Sequence, residues 1–323
     1  MANSPIQLKH VFFGTGDLGL PCLQTLIDMG SKPRLVVTSP DKPAGRGLKL
    51  THSPIKDLAL HSGVPILQPE NVNNPEVVDR IRHVEADLGI IIAYGQKIGS
   101  VLINIFPKGI INLHASLLPA YRGAAPINWA IINGEKETGL TVMQINEQID
   151  AGKILNQLVV PIDPLERADE LHDRLGQAGP TILLETIFQI QKGKLNPRPQ
   201  DPARVSKAPK MSKDISPIDW SQPARKIAEW IRGLWPWPTA TGVYESQDGR
   251  KVPVAFARAW AIKEDECGLS DRRPGLILAD FSIVTGEGRL KILEIKPAGS
   301  KLMTWQDFMN GRRVKAGDRF VSA

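Results

Sequence analysis

Short apolar runs that alternate with helix-like segments constrain the fold of the first half of the chain. The runs are rich in branched residues and cover positions 11–13, 35–37, 88–93 and 110–113. The segments between them, such as 18–29, have the longer apolar spacing that is typical of a helix. Strands that alternate with helices form a parallel sheet with helices on both faces. We therefore predict an α/β fold with a doubly wound, mostly parallel, Rossmann-like sheet, extended by a strand over 153–162 and closed by a long helix over 167–191.

The last third of the chain follows a different pattern. A helix is predicted over 223–231, and after it short strands alternate with turns over 239–244, 252–259, 275–278 and 290–295. Several short strands separated by turns are typical of a small β-barrel, and we predict an OB-like barrel here. A chain of 323 residues that is 42% hydrophobic is long enough to bury the cores of two domains.

A basic segment separates these two patterns. Residues 192–213 contain 7 Lys+Arg against 1 Asp+Glu, four prolines and no hydrophobic periodicity. Such a composition predicts an extended linker, and so a catalytic domain over 1–191, a linker over 192–213 and a C-terminal domain over 214–323. The charge has two interpretations: it keeps a solvated linker soluble, or it lies along the phosphates of a nucleic acid.

Neither a membrane segment nor a metal site is indicated by the sequence. The first ten residues contain no long apolar run, and no stretch reaches the ~20 apolar residues that a membrane helix needs. The two cysteines, Cys22 and Cys267, match no zinc or redox spacing. We therefore expect a cytoplasmic monomer with no metal.

Three polar residues stand where a chemical site is expected. Asn112 and His114 lie two positions apart at the end of a predicted strand, so their side chains share a face with Cα atoms ~6.6 Å apart. Both side chains can donate a hydrogen bond to an oxygen that develops negative charge during acyl transfer. Asp150 is then the residue that orients the imidazole or accepts a proton. The structural alternatives are a buried histidine, an asparagine that bridges loop backbone and an aspartate that begins a turn.

The first turn contains a competing motif. Residues 14–19 read G-T-G-D-L-G, which fits the glycine pattern of dinucleotide-binding folds, and Asp41 follows at about the interval of a ribose-binding acid. Asp17, however, would place a carboxylate beside the pyrophosphate, and Asp41 begins a basic loop instead of ending a strand. A dehydrogenase is therefore the weaker interpretation.

The run from 112 to 152 resembles the signature of the folate-dependent formyltransferases, which transfer a formyl group from 10-formyltetrahydrofolate to an amine. The resemblance is carried by N-L-H at 112–114, S-L-L-P at 116–119, T-G-L-T at 138–141 and D-A-G at 150–152. It implies Asn112, His114 and Asp150 as catalytic residues and 10-formyltetrahydrofolate as co-substrate, with no metal. The folate would contact two short segments, namely Ala93, Tyr94, Gly95 and Gln96, and Ser116, Leu117, Leu118 and Pro119.

The acceptor is indicated by a second resemblance. Residues 40–47, P-D-K-P-A-G-R-G, resemble the loop that the methionyl-tRNA members of this family insert at the acceptor end of initiator tRNA. The resemblance continues through the linker and the C-terminal part, and implies initiator methionyl-tRNA as partner. The implied tRNA contacts are Lys42, Arg46, Lys49, Lys207, Lys210 and Lys213. Three alternatives remain: a solvated surface loop, a formyltransferase acting on a sugar nucleotide or another small amine, and an RNA-binding module without catalysis.

Overall fold

The structure is a computed structural model that describes residues 5–44, 49–262 and 273–322. The chain divides into two compact units, and each consists of separate stretches of sequence. The first unit comprises Met1–Gly123, Thr138–Val160 and His172–Lys207, and the second comprises Ala124–Glu137, Pro161–Leu171 and Ala208–Ala323. The predicted boundaries at 191 and 213 remain a prediction about the limits of the folding domains.

The predicted elements appear in the predicted order except at 275–278, together with further strands and helices that were not predicted. The strands are β1 (His10–Gly14), β2 (Leu35–Val37), β3 (Lys42–Ala44), β4 (Lys49–Thr51), β5 (Ile66–Leu67), β6 (Leu88–Ile92), β7 (Ile110–His114), β8 (Arg122–Gly123), β9 (Glu137–Gln144), β10 (Ile154–Pro161), β11 (Lys207–Ala208), β12 (Ala240–Glu245), β13 (Lys251–Ile262), β14 (Ile283–Val284), β15 (Arg289–Pro297), β16 (Met303–Thr304) and β17 (Arg319–Ser322). The helices are α1 (Leu20–Asp28), α2 (Pro54–His61), α3 (Pro75–Arg82), α4 (Ser100–Ile103), α5 (Pro126–Ile132), α6 (Ala168–Gln191), α7 (Ala224–Leu234) and α8 (Trp305–Arg312).

A mostly parallel sheet forms the centre of the first unit. In the described residues it has seven strands in the order β10-β9-β7-β6-β1-β2-β5. The pairs β1–β2, β1–β6, β6–β7 and β2–β5 are parallel, and β7–β9 is antiparallel. The central strands are apolar and buried throughout, as expected for strands covered on both faces. The prediction of a doubly wound, mostly parallel sheet is confirmed.

An antiparallel sheet in the second unit forms a nearly closed barrel. Its strands follow the order β14-β15-β13-β12-β17, with β16 paired to β15. The stretch 275–278, predicted as a strand, instead makes single bridges, Leu276 to Arg319 and Ile277 to Ile283. These bridges connect the two end strands of the order, β17 and β14, so a short irregular segment nearly closes the ring. An aromatic core fills it, with Tyr244, Phe256, Phe308 and Phe320 among the largest buried side chains. The barrel prediction is thereby confirmed.

No helix in the described ranges is long and apolar enough to cross a membrane. Within the same residues, no group of three or more His, Cys, Asp or Glu side chains is placed to hold a metal ion.

Candidate active site

Asn112 and His114 lie on β7, a central strand of the first unit. Asn112 pairs with Ile91 of β6 on one side and with Met143 of β9 on the other. The exposed fractions of Asn112 and His114 are 9% and 7%. Because side chains alternate along a strand, the amide and the imidazole share a face, as predicted. A strand paired on both sides is a rigid support, which a catalytic group needs.

The hydrogen bond of His114 determines which ring nitrogen is available for chemistry. Its Nε2 lies 3.0 Å from the carbonyl oxygen of Tyr121. A carbonyl oxygen only accepts, so Nε2 carries a hydrogen in both the neutral and the charged ring. Nδ1 therefore holds the free lone pair of the neutral imidazole, and it faces Asp150 with 3.8 Å between Nδ1 and Oδ2. Nδ1 is the atom that can take up and release a proton.

Asp150 is held by the backbone. Its Oδ2 accepts a hydrogen bond of 2.9 Å from the N–H of Gly123. Asp150 has a φ of 50°, and Tyr121, which binds His114, has a φ of 62°. Non-glycine residues in this left-handed region cost on the order of 1–3 kcal/mol each and persist only where the surroundings enforce them. Both strained residues of this region thus contact the same imidazole.

The amide of Asn112 is available for a ligand. Among the described residues, its side chain has no hydrogen-bond partner, although the residue is about nine-tenths buried. A buried amide normally has a partner in the folded protein. An Asn112 side chain without a hydrogen-bond partner is free to donate to an oxyanion as it develops.

The first predicted folate segment follows β6 directly. Ala93 has a φ of 49° and Gly95 a φ of 85°, so the chain turns sharply here. The carbonyl of Ala93 accepts from the N–H groups of Thr15 and Gly16. Tyr94 is buried, which raises the pKa of its hydroxyl. The side chain of Gln96 accepts from the Val72 N–H and donates to the Pro69 carbonyl, which fixes the segment from outside.

The second predicted folate segment is fixed mainly by hydrogen bonds to side chains of β9 and β10. The Ser116 hydroxyl donates to the Ala120 carbonyl at 2.6 Å. The Thr141 hydroxyl donates to the Ser116 carbonyl and accepts from the Leu118 N–H, and Gln157 donates to the Leu118 carbonyl. Leu118 and Ser116 are buried, Pro119 is buried, and Leu117 is half-buried. Folate contact by either segment remains a prediction.

Two residues near the site were missed by the sequence reasoning. Gln200 donates to the carbonyl oxygens of Asp150 and Gly152, at 2.9 and 2.8 Å. The hydroxyl of Ser206 accepts from the N–H of Tyr121 at 2.8 Å. Both belong to the basic linker, whose composition gives no signal of such contacts, because their partners lie 50 and 85 positions away.

Comparison with known proteins identifies the family of the chain. Residues 8–187 match the family described as "Formyl transferase", and residues 210–313 match "Formyl transferase, C-terminal domain". A methionyl-tRNA formyltransferase of Geobacter metallireducens is 43% identical, covering 97% of this chain and 98% of its own. One from Thermodesulfovibrio yellowstonii is 40% identical, covering 95% and 97%. The chain belongs to the methionyl-tRNA formyltransferase family.

Solved structures of other formyltransferases share this fold with the family. WlaRD, described as a sugar 3N-formyl transferase in the presence of dTDP and 5-N-formyl-THF, has a TM-score of 0.65 at 18% identity, covering 91% of this chain and 99% of its own. Glycinamide ribonucleotide transformylase 1 of Symbiobacterium toebii has a TM-score of 0.51 at 21% identity, covering 62% and 98%. At these identities the likeness supports the fold alone.

The glycine motif of the first turn has a packing role in this formyltransferase fold. A Cβ on Gly14 would lie 3.0 Å from the Ile92 carbonyl oxygen, and one on Gly19 would lie 3.2 Å from the Ile92 Cβ. Asp41, the proposed ribose-binding acid, binds Lys56 at 2.6 Å and Gln68 at 2.8 Å. The hydrogen bond from Lys56 is the main cause that lowers the pKa of Asp41. Family membership and these contacts leave no support for the dehydrogenase interpretation.

The predicted tRNA-binding residues are basic and mostly on the surface. Lys42, Lys207, Lys210 and Lys213 are exposed, and in the described part of the chain none of them makes an ion pair. Lys49 lies in β4, and Arg46 lies outside the described residues. Since these four lysines make no ion pair with any described residue, their charges can face phosphate.

Proposed function

We propose that this chain transfers the formyl group of 10-formyltetrahydrofolate to the free amino group of initiator methionyl-tRNA, giving N-formylmethionyl-tRNA. The observation that carries the proposal is the convergence of Asn112, His114 and Asp150 at the end of β7. These three side chains stand in a chain that is similar over 97% of its length to methionyl-tRNA formyltransferases.

Asn112 and His114 supply the stabilisation that the addition step needs. The lone pair of the uncharged amino nitrogen forms a bond to the formyl carbon, and the carbonyl π electrons move onto the oxygen. The Asn112 amide has no partner among the described residues and can donate to that oxygen. Once protonated, His114 can donate a second hydrogen bond from Nδ1, because Nε2 is already bound to Tyr121. Such donors lower the barrier because they bind the charge only as it forms.

Asp150 supports the proton transfers. Its carboxylate lies 3.8 Å from Nδ1, near enough to stabilise the imidazolium by charge but outside hydrogen-bonding distance. The amine nitrogen loses one proton as the new C–N bond forms, and Asp150 accepts it through water. The bond from the formyl carbon to N10 of the folate then breaks, and N10 takes up a proton. The products are N-formylmethionyl-tRNA and tetrahydrofolate, so the proton count balances.

The acceptor class is supported by the linker as well as by the relatives. Residues 192–213 have a net charge of +6, which equals the formal net charge of the whole chain. Lys207, Lys210 and Lys213 of this segment are exposed. A row of exposed lysines neutralises a phosphate backbone and gains affinity by releasing counterions. Sugar formyltransferases resemble this chain in fold only, so a sugar nucleotide is the weaker acceptor.

A formyl-transfer assay with four acceptors tests the proposed function. Aminoacylated initiator tRNA, aminoacylated elongator tRNA, free methionine and a dTDP-linked amino sugar are each offered with 10-formyltetrahydrofolate. We expect transfer to initiator methionyl-tRNA only, and loss of that transfer in Asp150→Asn. Preferred turnover of the amino sugar, or an inactive wild-type chain, would refute the assignment.

Salt dependence tests the linker contacts separately. Affinity for tRNA is measured across a salt series for wild type, Lys207→Gln and Lys210→Gln. Each phosphate contact that is lost reduces the slope of log affinity against log salt by about 1. Lys97→Gln is the control, because Lys97 is an exposed lysine outside the predicted set. Unchanged slopes in both linker variants would remove these two lysines from the interface.

A further inference from the structure

We propose that Gln200 and Ser206 are positioning residues for formyl transfer, and that the segment between the two predicted domains thereby completes the catalytic site. The proposal rests on the proposed function, since it concerns the geometry of the same reaction. Neither residue needs to contact a substrate. Each acts on a loop that holds a catalytic side chain.

Gln200 joins the loop of Asp150 to Arg122 of β8. Its Nε2 donates to the carbonyl oxygens of Asp150 and Gly152, at 2.9 and 2.8 Å. Its Oε1 accepts from Nε and Nη2 of Arg122, at 3.0 and 2.7 Å. Both ends of the half-buried Gln200 amide are therefore hydrogen-bonded, one to the Asp150 loop and the other to β8. The Asp150 loop also packs closely against β9, because a Cβ on Gly152 would lie 1.7 Å from a carbonyl oxygen of that strand.

Ser206 acts on the other side of the imidazole. Its hydroxyl accepts from the N–H of Tyr121 at 2.8 Å, and its carbonyl accepts from the N–H of Arg122 at 2.9 Å. The carbonyl of Tyr121 in turn binds Nε2 of His114 at 3.0 Å. A continuous chain of hydrogen bonds thus runs from Ser206 through the Tyr121 backbone to the imidazole.

The contacts of Gln200 and Ser206 matter because the distance between His114 and Asp150 depends on the surrounding backbone. His114 and Asp150 face each other at 3.8 Å without a direct hydrogen bond, so their separation is set by the surrounding loops. Asp150 and Tyr121 both have left-handed backbone conformations that need external support. A displacement of about 1 Å in a catalytic group can cost on the order of 100-fold in rate. Gln200 and Ser206 are the linker residues that supply this support.

Gln200→Glu is the most informative variant. It keeps an acceptor for Arg122 but turns a carboxylate oxygen towards the two carbonyl oxygens of the Asp150 loop. We expect kcat to fall at least about tenfold, with KM for methionyl-tRNA and for the folate changed less than about threefold. The ratio of variant to wild-type kcat should rise as the pH falls, because a protonated carboxylic acid can donate to a carbonyl again.

Two controls separate positioning from general damage. Gln24→Glu makes the same change on the exposed face of α1, where the Gln24 amide donates to Asp28. It should leave kcat as in wild type and lower the free energy of unfolding by less than about 1 kcal/mol, because it loses one surface hydrogen bond and gains a like-charge pair. Ser206→Ala removes the acceptor for Tyr121 and should also lower kcat more than it raises either KM. A kcat for Gln200→Glu within twofold of wild type would overturn the proposal. So would a rise in KM alone, or a kcat loss matched by a loss of folded protein.

A measurement without turnover distinguishes this proposal from the proposed function. The ¹⁵N resonances of the His114 ring are recorded in the full chain and assigned by their absence in His114→Asn. In Ser206→Ala and Gln200→Glu these resonances should move, because the hydrogen bond at Nε2 or the charge near Nδ1 changes, while Gln24→Glu should leave them in place. Unmoved resonances would overturn the positioning role, even if wild-type enzyme formylates methionyl-tRNA. Moved resonances in a chain that does not formylate tRNA would count against the proposed function only.

Discussion

Replacing Asn112 by alanine should separate activity from stability. The side chain is about nine-tenths buried, and among the described residues it has no hydrogen-bond partner. An amide in that state contributes little to folding, because its polar atoms are not fully buried and gain no protein partner. We expect its role to be catalytic, as a donor to the oxyanion during formyl transfer.

The expected magnitudes follow from these two roles. Loss of one oxyanion donor typically lowers the rate by about 100- to 1,000-fold, or about 2.7–4 kcal/mol. For folding, the Asn112 side chain has no hydrogen bond to lose, and because its polar atoms are not fully buried, their removal gains about 1 kcal/mol or less. The small cavity left by the shorter side chain costs about 1 kcal/mol. We therefore expect the free energy of unfolding to change by less than about 1 kcal/mol.

Both quantities are measurable on the same preparation. Single-turnover and steady-state formylation of methionyl-tRNA give kcat and kcat/KM, and urea titration gives the unfolding free energy. Asn112→Asp is a second variant of nearly the same shape that replaces the donor with a carboxylate, and it should be at least as inactive. A variant Asn112→Ala that keeps wild-type kcat/KM but loses more than about 2 kcal/mol of stability would show that the amide is structural.

Three further predictions concern other parts of the chain. Gly152→Ala should destabilise the first unit by about 1–3 kcal/mol or more, measured by urea titration, because its Cβ would lie 1.7 Å from a backbone oxygen of β9. Tyr244→Phe should cost about 1–3 kcal/mol in the barrel, because the Tyr244 hydroxyl donates to the buried Asp318 carboxylate at 2.5 Å. Glu170→Gln should reduce the loss of stability below pH ~4.5, measured as unfolding midpoints from pH 7 to pH 3. Burial raises the pKa of Glu170, but hydrogen bonds from Arg258 and the Arg167 N–H outweigh burial and lower that pKa overall.

The sign of the last effect follows from the direction of the shift. A carboxyl group whose pKa is lower in the folded state stabilises the protein above its unfolded pKa and loses that contribution as the pH falls through the folded value. Glu147→Gln is the control, since Glu147 is exposed and makes no ion pair with the described residues. Gly311→Ala is the control for Gly152→Ala, because a Cβ at Gly311 meets no atom within 4 Å. Equal acid sensitivity of both glutamate variants, or equal stability of both glycine variants, would contradict the corresponding prediction.

The strand and helix pattern was predictable because it depends on short-range order. The apolar runs at 11–13 and 110–113 became the buried strands β1 and β7, and the long helix over 167–191 became α6. The run at 275–278 was wrong as a strand, because its backbone bridges two ends of a barrel and pairs with a different strand at each residue. The apolar pattern of a sequence predicts a regular strand, but it does not predict a segment whose residues pair singly with different strands.

The candidate site was predictable only in part. Asn112, His114 and Asp150 could be selected from residue type, spacing and resemblance. The sequence could not predict that Tyr121 occupies Nε2 of His114 and leaves Nδ1 for chemistry. The hydrogen bonds of Gln200 were also hidden, since a glutamine in a proline-rich basic segment resembles any solvated linker residue.

The sequence by itself determined the order of strands and helices, the placement of polar groups at the end of β7 and the basic charge of the linker. Each depends on neighbouring residues, on alternation along a strand or on composition. Only the tertiary structure decided which nitrogen of His114 is free, that Gln200 binds the Asp150 loop, and that Ser206 binds the Tyr121 backbone. Those contacts join residues 7 to 85 positions apart, and such pairs meet only after burial of the apolar core has brought the strands together.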